Sequence, residues 1–137
     1  RWLTADEIRK INQAEAAARG VDYVVLNDSY VDGAAARPIN LWHYEQVRDL
    51  VTLAVSLLFA IAQAHAFKDG NKRTAFYAAV IFLQANGITV PNLDADYLAE
   101  MIVAVVDREL SIDLFEHLFR ADLELTPAAP GATETDA

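Results

Sequence analysis

The chain contains no cysteine. Without thiols it can form no disulfide framework, no thiolate zinc site and no cysteine nucleophile, a composition compatible with a reducing compartment. The first twenty residues also lack the apolar core of a secretory signal, because acidic and basic residues recur throughout them. We therefore expect a cytoplasmic protein.

Basic residues are scarce as well. The chain has eleven Lys and Arg and twenty Asp and Glu, which gives a formal net charge of −9. An acidic surface repels a phosphate backbone, so the charge balance argues against direct binding of nucleic acid.

The chain is too short for a second catalytic domain. With 137 residues, 54% of them hydrophobic, it can form one domain with a sizeable core. Its last part, TPAAPGATETDA from Thr126, has almost nothing to bury. We expect a folded domain over residues 1–124 and a disordered acidic tail over residues 125–137.

The run LVTLAVSLLFAIAQA at residues 50–64 lacks charge and is apolar on all its sides. A helix that spans a bilayer needs about 20 apolar residues, and this run is bracketed by Asp49 and by the polar segment HAFKDGNKR. The run therefore predicts a helix buried at the centre of a bundle, and no association with a membrane.

Capping residues and periodicity predict further helices around this one. Thr4 with Glu7 forms a capping box before a helix over residues 5–19, and Asp28 can cap a short helix that runs toward Ala36. Breakers make residues 20–44 less regular, with a short extended piece at residues 23–26. Later helices are predicted at residues 72–86, from Asp94 to about 108, and from Ser111 to about 120. No strand ladder is evident, so the predicted class is all-α, a compact helical bundle around a central buried helix.

The segment HAFKDGNKRT at residues 65–74 carries the chemistry. It is a loop followed by a helix N-terminus, where unpaired N–H groups and the helix dipole favour an anion. Gly70 permits a tight turn, Asn71 is a good N-cap, and Lys72 and Arg73 add positive charge. With Lys68 they outnumber the one carboxylate of the loop, which suits the phosphates of a nucleotide better than it suits DNA.

Two other side chains of this loop suit a phosphate reaction. His65 can accept a proton near neutral pH, and Asp69 is an oxygen ligand of the kind that Mg²⁺ prefers beside substrate phosphates. Taken singly, each residue fits an ordinary role: a histidine that caps a helix, a common Asp-Gly-Asn turn, a solvated helix start. Their order in one unbroken run favours a functional site.

The run His65-x-Phe67-x-Asp69-Gly70-Asn71-Lys72-Arg73 resembles the signature of the Fic/Doc family, and Lys72 resembles the Doc (death-on-curing) branch of toxins. The wider Fic branch has Gly at that place and a further Arg where this chain has Phe76. Other Doc-like stretches are Trp2-Leu3-Thr4, Ala36-Arg37-Pro38 and residues 82–87, so the resemblance covers roughly residues 1–120.

The resemblance implies a role for each residue of the loop. His65 and Arg73 would be catalytic, with His65 taking the proton from a target hydroxyl. Asp69 would hold Mg²⁺ against the phosphates of ATP, and Phe67 would anchor the loop. The phosphates would be bound by Gly70, Asn71, Lys72 and Arg73.

The resemblance also implies an activity. Fic enzymes transfer AMP, whereas Doc toxins transfer the γ-phosphate of ATP, and the Lys72 side chain fills space that Gly would leave for an α-phosphate. The implied function is that of a toxin in a toxin–antitoxin system, an ATP-dependent protein kinase that phosphorylates a threonine of elongation factor Tu and arrests translation. Two alternatives stay open: an AMP transferase acting on a protein hydroxyl, and a non-catalytic phosphate-binding module. A metal-dependent hydrolase is disfavoured because no second His or carboxylate pair joins His65 and Asp69 at ligand spacing.

One further absence concerns regulation. Many Fic proteins silence themselves through a Ser or Thr followed four positions later by Glu, and no Ser or Thr in this chain has Glu at that spacing. The resemblance implies instead a cognate antitoxin, whose C-terminal segment is disordered when free and folds into a groove of the toxin.

Overall fold

The protein forms a bundle of α-helices. The structure, a computed structural model, describes residues 1–123. Over these residues it contains no β-strand and six helices, which confirms the all-α prediction: α1 (Ala5–Arg19), α2 (Asp28–Glu45), α3 (Leu50–Ala64), α4 (Asn71–Ala85), α5 (Ala95–Val106) and α6 (Ile112–Asp122). The predicted tail at residues 125–137 lies outside the described residues.

Helix α3 is the centre of the bundle, as its uncharged sequence predicts. Nine of its fifteen residues are buried, and the helix packs against α2 and α4 on its two sides and against α5 and α6 beyond them. The face with Thr52, Ser56 and Gln63 is less buried, but the helix carries no charged residue. Among residues 1–123, no helix is both long and apolar enough to cross a membrane.

Helix α2 is longer than predicted. The sequence predicts a short helix toward Ala36, but α2 continues through Pro38 to Glu45, and its N-cap is Asn27 instead of Asp28. A proline inside a helix removes one backbone hydrogen bond and crowds the preceding turn. Pro38 lies on the buried face of α2, which packs against α3, and this packing outweighs the local cost.

The predicted caps of α1, α5 and α6 are confirmed. The Thr4 side chain and the Glu7 side chain each bond the other residue's backbone, which completes the capping box of α1. Asp94 caps α5 by accepting from the Tyr97 N–H, and Ser111 caps α6 by accepting from the Leu114 N–H. These caps fix where α1, α5 and α6 begin.

Candidate active site

The loop at residues 65–70 joins the central helix to α4. It begins at His65, the C-cap of α3, and ends at Gly70, the N-cap of α4; both have left-handed backbones, with φ of 52° and 76°. Glycine adopts this conformation without the steric penalty that a Cβ imposes, so the turn into α4 explains Gly70.

The extended segment before α2 holds the loop in place. The Lys68 N–H donates to the Val24 carbonyl oxygen at 3.0 Å, and the Leu26 N–H donates to the Ala66 carbonyl oxygen at 2.7 Å. An isolated antiparallel bridge pairs Val25 with Phe67. The short extended piece predicted at residues 23–26 is thus confirmed, as one bridge against the loop.

Phe67 and Asn71 brace the loop from within. The Phe67 side chain is only 2% exposed and its ring lies 6.4 Å from that of Tyr23. The Asn71 side chain donates from Nδ2 to the Phe67 carbonyl oxygen at 2.8 Å, and its Oδ1 accepts from the Phe67 N–H at 3.1 Å.

The prediction that Asn71 caps α4 is therefore wrong. Asn71 is the first residue of the helix, and its side chain hydrogen-bonds to the Phe67 backbone. The N-cap is Gly70, which has no side chain to accept a hydrogen bond. Within residues 1–123, the N–H groups of Asn71, Lys72 and Arg73 have no acceptor. Three donors at the positive end of the helix dipole are thus available to an anion.

These donors open onto a cleft of about 370 Å³. Four cationic side chains and one carboxylate line it, so its charge is opposite to that of the chain as a whole. The lining residues are Arg19, Val21, Lys68, Asp69, Gly70, Asn71, Lys72, Arg73 and Ala99. Small-molecule sites measure about 300–1,000 Å³, so both the size and the charge of the cleft suit a phosphate-bearing ligand.

Ion pairs orient the two arginines of the cleft. Arg73 lies 3.2 Å from an Asp96 oxygen of α5 and 3.8 Å from Oε2 of Glu15 in α1. The same Glu15 oxygen lies 3.7 Å from Nε of Arg19, and Glu15 is only 9% exposed. One buried carboxylate therefore faces both arginines. Lys72, by contrast, forms no ion pair with any residue in 1–123.

Asp69 is the residue of the loop that could hold a metal ion beside a phosphate ligand. It is exposed at the mouth of the loop, and among residues 1–123 its carboxylate receives no hydrogen bond and forms no ion pair. No group of three or more potential metal ligands exists in that part of the chain. A single carboxylate fits Mg²⁺, which is often bound by one or two carboxylates together with substrate phosphates and water.

His65 does not line this cleft. It is exposed at the end of α3, directly after Gln63 and Ala64, which line a second groove of about 460 Å³ between α2 and α3. Along the chain His65 thus lies between the second groove and the charged cleft. The other two histidines, His43 and His117, are exposed on α2 and α6.

Sequence reasoning missed the contribution of α1. Asn12 and Glu15 are buried on the loop-facing side of this helix, and Arg19 reaches the cleft. A signal was present, because Asn12 and Glu15 follow Ile8 at i+4 and i+7, on the stripe where a core-facing helix is expected to be apolar. Polar residues on that stripe indicate a buried polar partner.

A left-handed cap, a run of free N–H groups and a basic cleft on an all-helical scaffold are features that suit the binding of a phosphate. The chain belongs to the Fic/DOC family: the sequence profile of that family matches residues 2–83.

Two characterised relatives are similar to it. "Protein kinase doc" of Escherichia phage P1 is 39% identical over 69 residues, which are 50% of this chain and 53% of that protein. "Toxin Doc" of Mycolicibacterium smegmatis is 33% identical over 102 residues, 73% of this chain and 78% of that protein. The match thus spans about half the length of the phage protein and most of the mycobacterial one.

Proposed function

We propose that the protein is a toxin of the Doc type that transfers the γ-phosphoryl group of ATP to a hydroxyl side chain of a target protein. One observation carries the proposal: an acidic chain concentrates four cationic side chains, three free N–H groups and the Asp69 carboxylate on one cleft. Nucleotide phosphates with a divalent cation match this combination. The names of the two relatives point the same way.

Each group has a defined task in this reaction. The N–H groups at the start of α4, with Lys72 and Arg73, bind and orient the phosphates, and Asp69 would hold Mg²⁺, which neutralises phosphate charge when bound. His65 accepts the proton of the target hydroxyl while the hydroxyl oxygen forms a bond to the γ-phosphorus. The bond between that phosphorus and the bridging oxygen of ATP breaks, and ADP leaves. The groove beside Gln63 and Ala64 offers the target polypeptide a route to His65.

Lys72 favours phosphoryl transfer over AMP transfer. Its side chain lines the cleft at a place where the wider Fic branch has Gly, and it forms no ion pair with residues 1–123. A lysine there adds a point charge and removes space beside the helix start. The γ-phosphate is then the group presented to the acceptor.

Labelled ATP tests the reaction. The purified protein is incubated with Mg²⁺, a bacterial lysate and ATP labelled at either the α- or the γ-phosphate. We expect protein-bound label from the γ-position only, and a loss of about 100-fold or more in His65→Ala, since a general base contributes 10²–10⁴-fold. His43→Ala, an exposed histidine on α2, is the matched control and retains the activity.

Other results would change the assignment. Retention of the α-label would show an AMP transferase. Absence of either label, with growth inhibition unaffected by His65→Ala and by Asp69→Ala, would show a non-catalytic phosphate-binding module.

The proposed target is a threonine of elongation factor Tu, and the proposed regulator is a cognate antitoxin. Support comes from the family and from the absence of the self-inhibitory Ser/Thr spacing in the chain. Purified elongation factor Tu should gain one phosphothreonine in the presence of the protein, Mg²⁺ and ATP, detected by mass spectrometry. Expression without an antitoxin should arrest growth, and a phosphoprotein other than this factor would reassign the target.

A further inference from the structure

A buried asparagine of α1 lies directly beneath the turn that opens the phosphate-binding helix. Asn12 is 2% exposed and follows the fully buried Ile8 by one helical turn. An amide in the apolar contact between two helices is costly unless its hydrogen-bonding groups find partners.

Asn12 finds two partners on opposite sides of Gly70. Its Nδ2 donates to the Asp69 carbonyl oxygen at 2.9 Å and to the Thr74 hydroxyl oxygen at 2.9 Å. A Cβ added at Gly70 would lie 3.4 Å from the same nitrogen, so the turn rests directly against the amide. One nitrogen thus fixes the residue before the turn to the first turn of α4.

This contact determines where the functional groups of the loop point. The Asp69 carboxylate and the Gly70 N–H belong to the two residues joined by the peptide whose carbonyl oxygen Asn12 holds. Rotation of that peptide would break this hydrogen bond and leave one N–H of the buried Asn12 amide without its acceptor, which is unfavourable.

We propose that Asn12 is a positioning residue for the phosphoryl transfer. By fixing the Asp69–Gly70 peptide, it directs the Asp69 carboxylate toward a cation bound to the phosphates. The part of this inference that concerns the cation rests on the proposed function, whereas the part that concerns the loop rests on the contacts alone.

The loop part is tested by amide hydrogen exchange without any ligand. The reporter is the Lys68 N–H, which donates to Val24. Asn12→Ala should speed its exchange about tenfold, the effect of losing one buried hydrogen bond. Thr74→Val is the matched control, because it removes one partner of Asn12 and keeps the bond to Asp69, and it should change this exchange less than threefold. Equal effects of the two variants would overturn the positioning role.

The cation part is tested by calorimetry of ATP binding at a series of Mg²⁺ concentrations. Asn12→Ala should raise the Mg²⁺ concentration for half-maximal binding about tenfold, the scale of losing a group that orients a metal ligand. The affinity of Asn12→Ala for ATP in EDTA should stay within about twofold of the parent value. In Thr74→Val, both this affinity and the Mg²⁺ concentration for half-maximal binding should stay within about twofold of the parent values. An unchanged Mg²⁺ requirement in Asn12→Ala would overturn the inference.

The two measurements separate this inference from the proposed function. If the parent protein binds no ATP in the presence of Mg²⁺, the proposed function fails, while the exchange experiment still decides whether Asn12 positions the loop. Where Asn12→Ala does not fold, Asn12→Leu fills nearly the same volume without a donor and is used in both experiments.

Discussion

The two ends of the central helix α3 use their polar groups in opposite ways. At its start, Asp49 accepts from the N–H groups of Val51 and Thr52 and pairs with Arg120, whose guanidinium also reaches Glu116. At its end, the loop from His65 leads to free N–H groups, to an unpaired Lys72 and to an Asp69 carboxylate with no partner among residues 1–123. The polar groups at the first end, which we call the closed end, pair with one another and stabilise the fold. Those at the second end remain available to bind a ligand.

This comparison predicts opposite effects for one substitution made at each end. Asp69→Asn should lower phosphoryl transfer by about 100-fold, the scale of losing one electrostatic contact to the transition state, and change the free energy of unfolding by less than about 0.5 kcal/mol. Asp49→Asn should lower stability and leave the activity of the folded protein unchanged. Transfer assays and urea unfolding of both variants measure the two quantities, and a stability loss in Asp69→Asn without a loss of activity would break the comparison.

The turn itself should couple stability to activity. Gly70→Ala places a Cβ on a residue with φ of 76°, which costs about 1–2 kcal/mol, and brings that Cβ to 3.4 Å from Asn12 and Glu15. We expect a matching loss in urea unfolding and a lower affinity for ATP with Mg²⁺. Gly20→Ala is a control with a similar φ of 70° and no atom within 4 Å of its Cβ, so it should lose stability but keep its affinity for ATP.

Truncation of Asp49 at the closed end should lower stability alone, without the loss of ATP affinity expected for Gly70→Ala. Asp49→Ala removes the N-cap of α3 and one partner of Arg120, and loss of a cap costs about 0.5–2 kcal/mol. Urea unfolding should show this loss while activity per folded molecule stays at the parent value. A drop in activity larger than the drop in folded fraction would show that the two ends are not independent.

The smallest expected effect is a pH dependence at the closed end. Burial opposes ionisation of Asp49, but hydrogen bonds from Arg120 and from the Thr52 N–H hold its pKa below the ordinary value. Because the native pKa is lowered, the stabilisation is complete above the unfolded-state pKa of about 4 and is lost as pH falls through the native pKa. The stability difference between the parent and Asp49→Asn should therefore shrink on acidification below about pH 4, and a difference that grows would contradict this assignment.

Much of the fold could be predicted because its signals are local. Thr4, Asp94 and Ser111 each cap the helix predicted for them, and most of the uncharged run of α3 is buried at the centre of the bundle. Helix α2 was predicted too short, because Pro38 is a breaker by local rules and only its packing against α3 reverses that preference. A propensity is a property of a few residues, whereas that packing depends on a partner helix.

The same division holds for the candidate site. The order of residues 65–73 was sufficient to single out the loop, since the turn, the helix start and the charges are neighbours in the chain. The role of Asn71 was mistaken, because whether a side chain caps its helix or reaches back to Phe67 depends on the path of the loop. Asn12, Glu15 and Arg19 were missed although two of them interrupt an apolar stripe.

The sequence by itself determined that this protein is a helical domain with one candidate phosphate-binding loop, because helix caps, apolar runs and loop charges act over a few residues. Only the tertiary structure decided how that loop is held. The contacts of Asn12 join residues 57 and 62 positions apart, and Glu15 meets Arg73 across the same helix pair. Such contacts form only when α1 packs beside α4, and no local pattern encodes the distance between two helices.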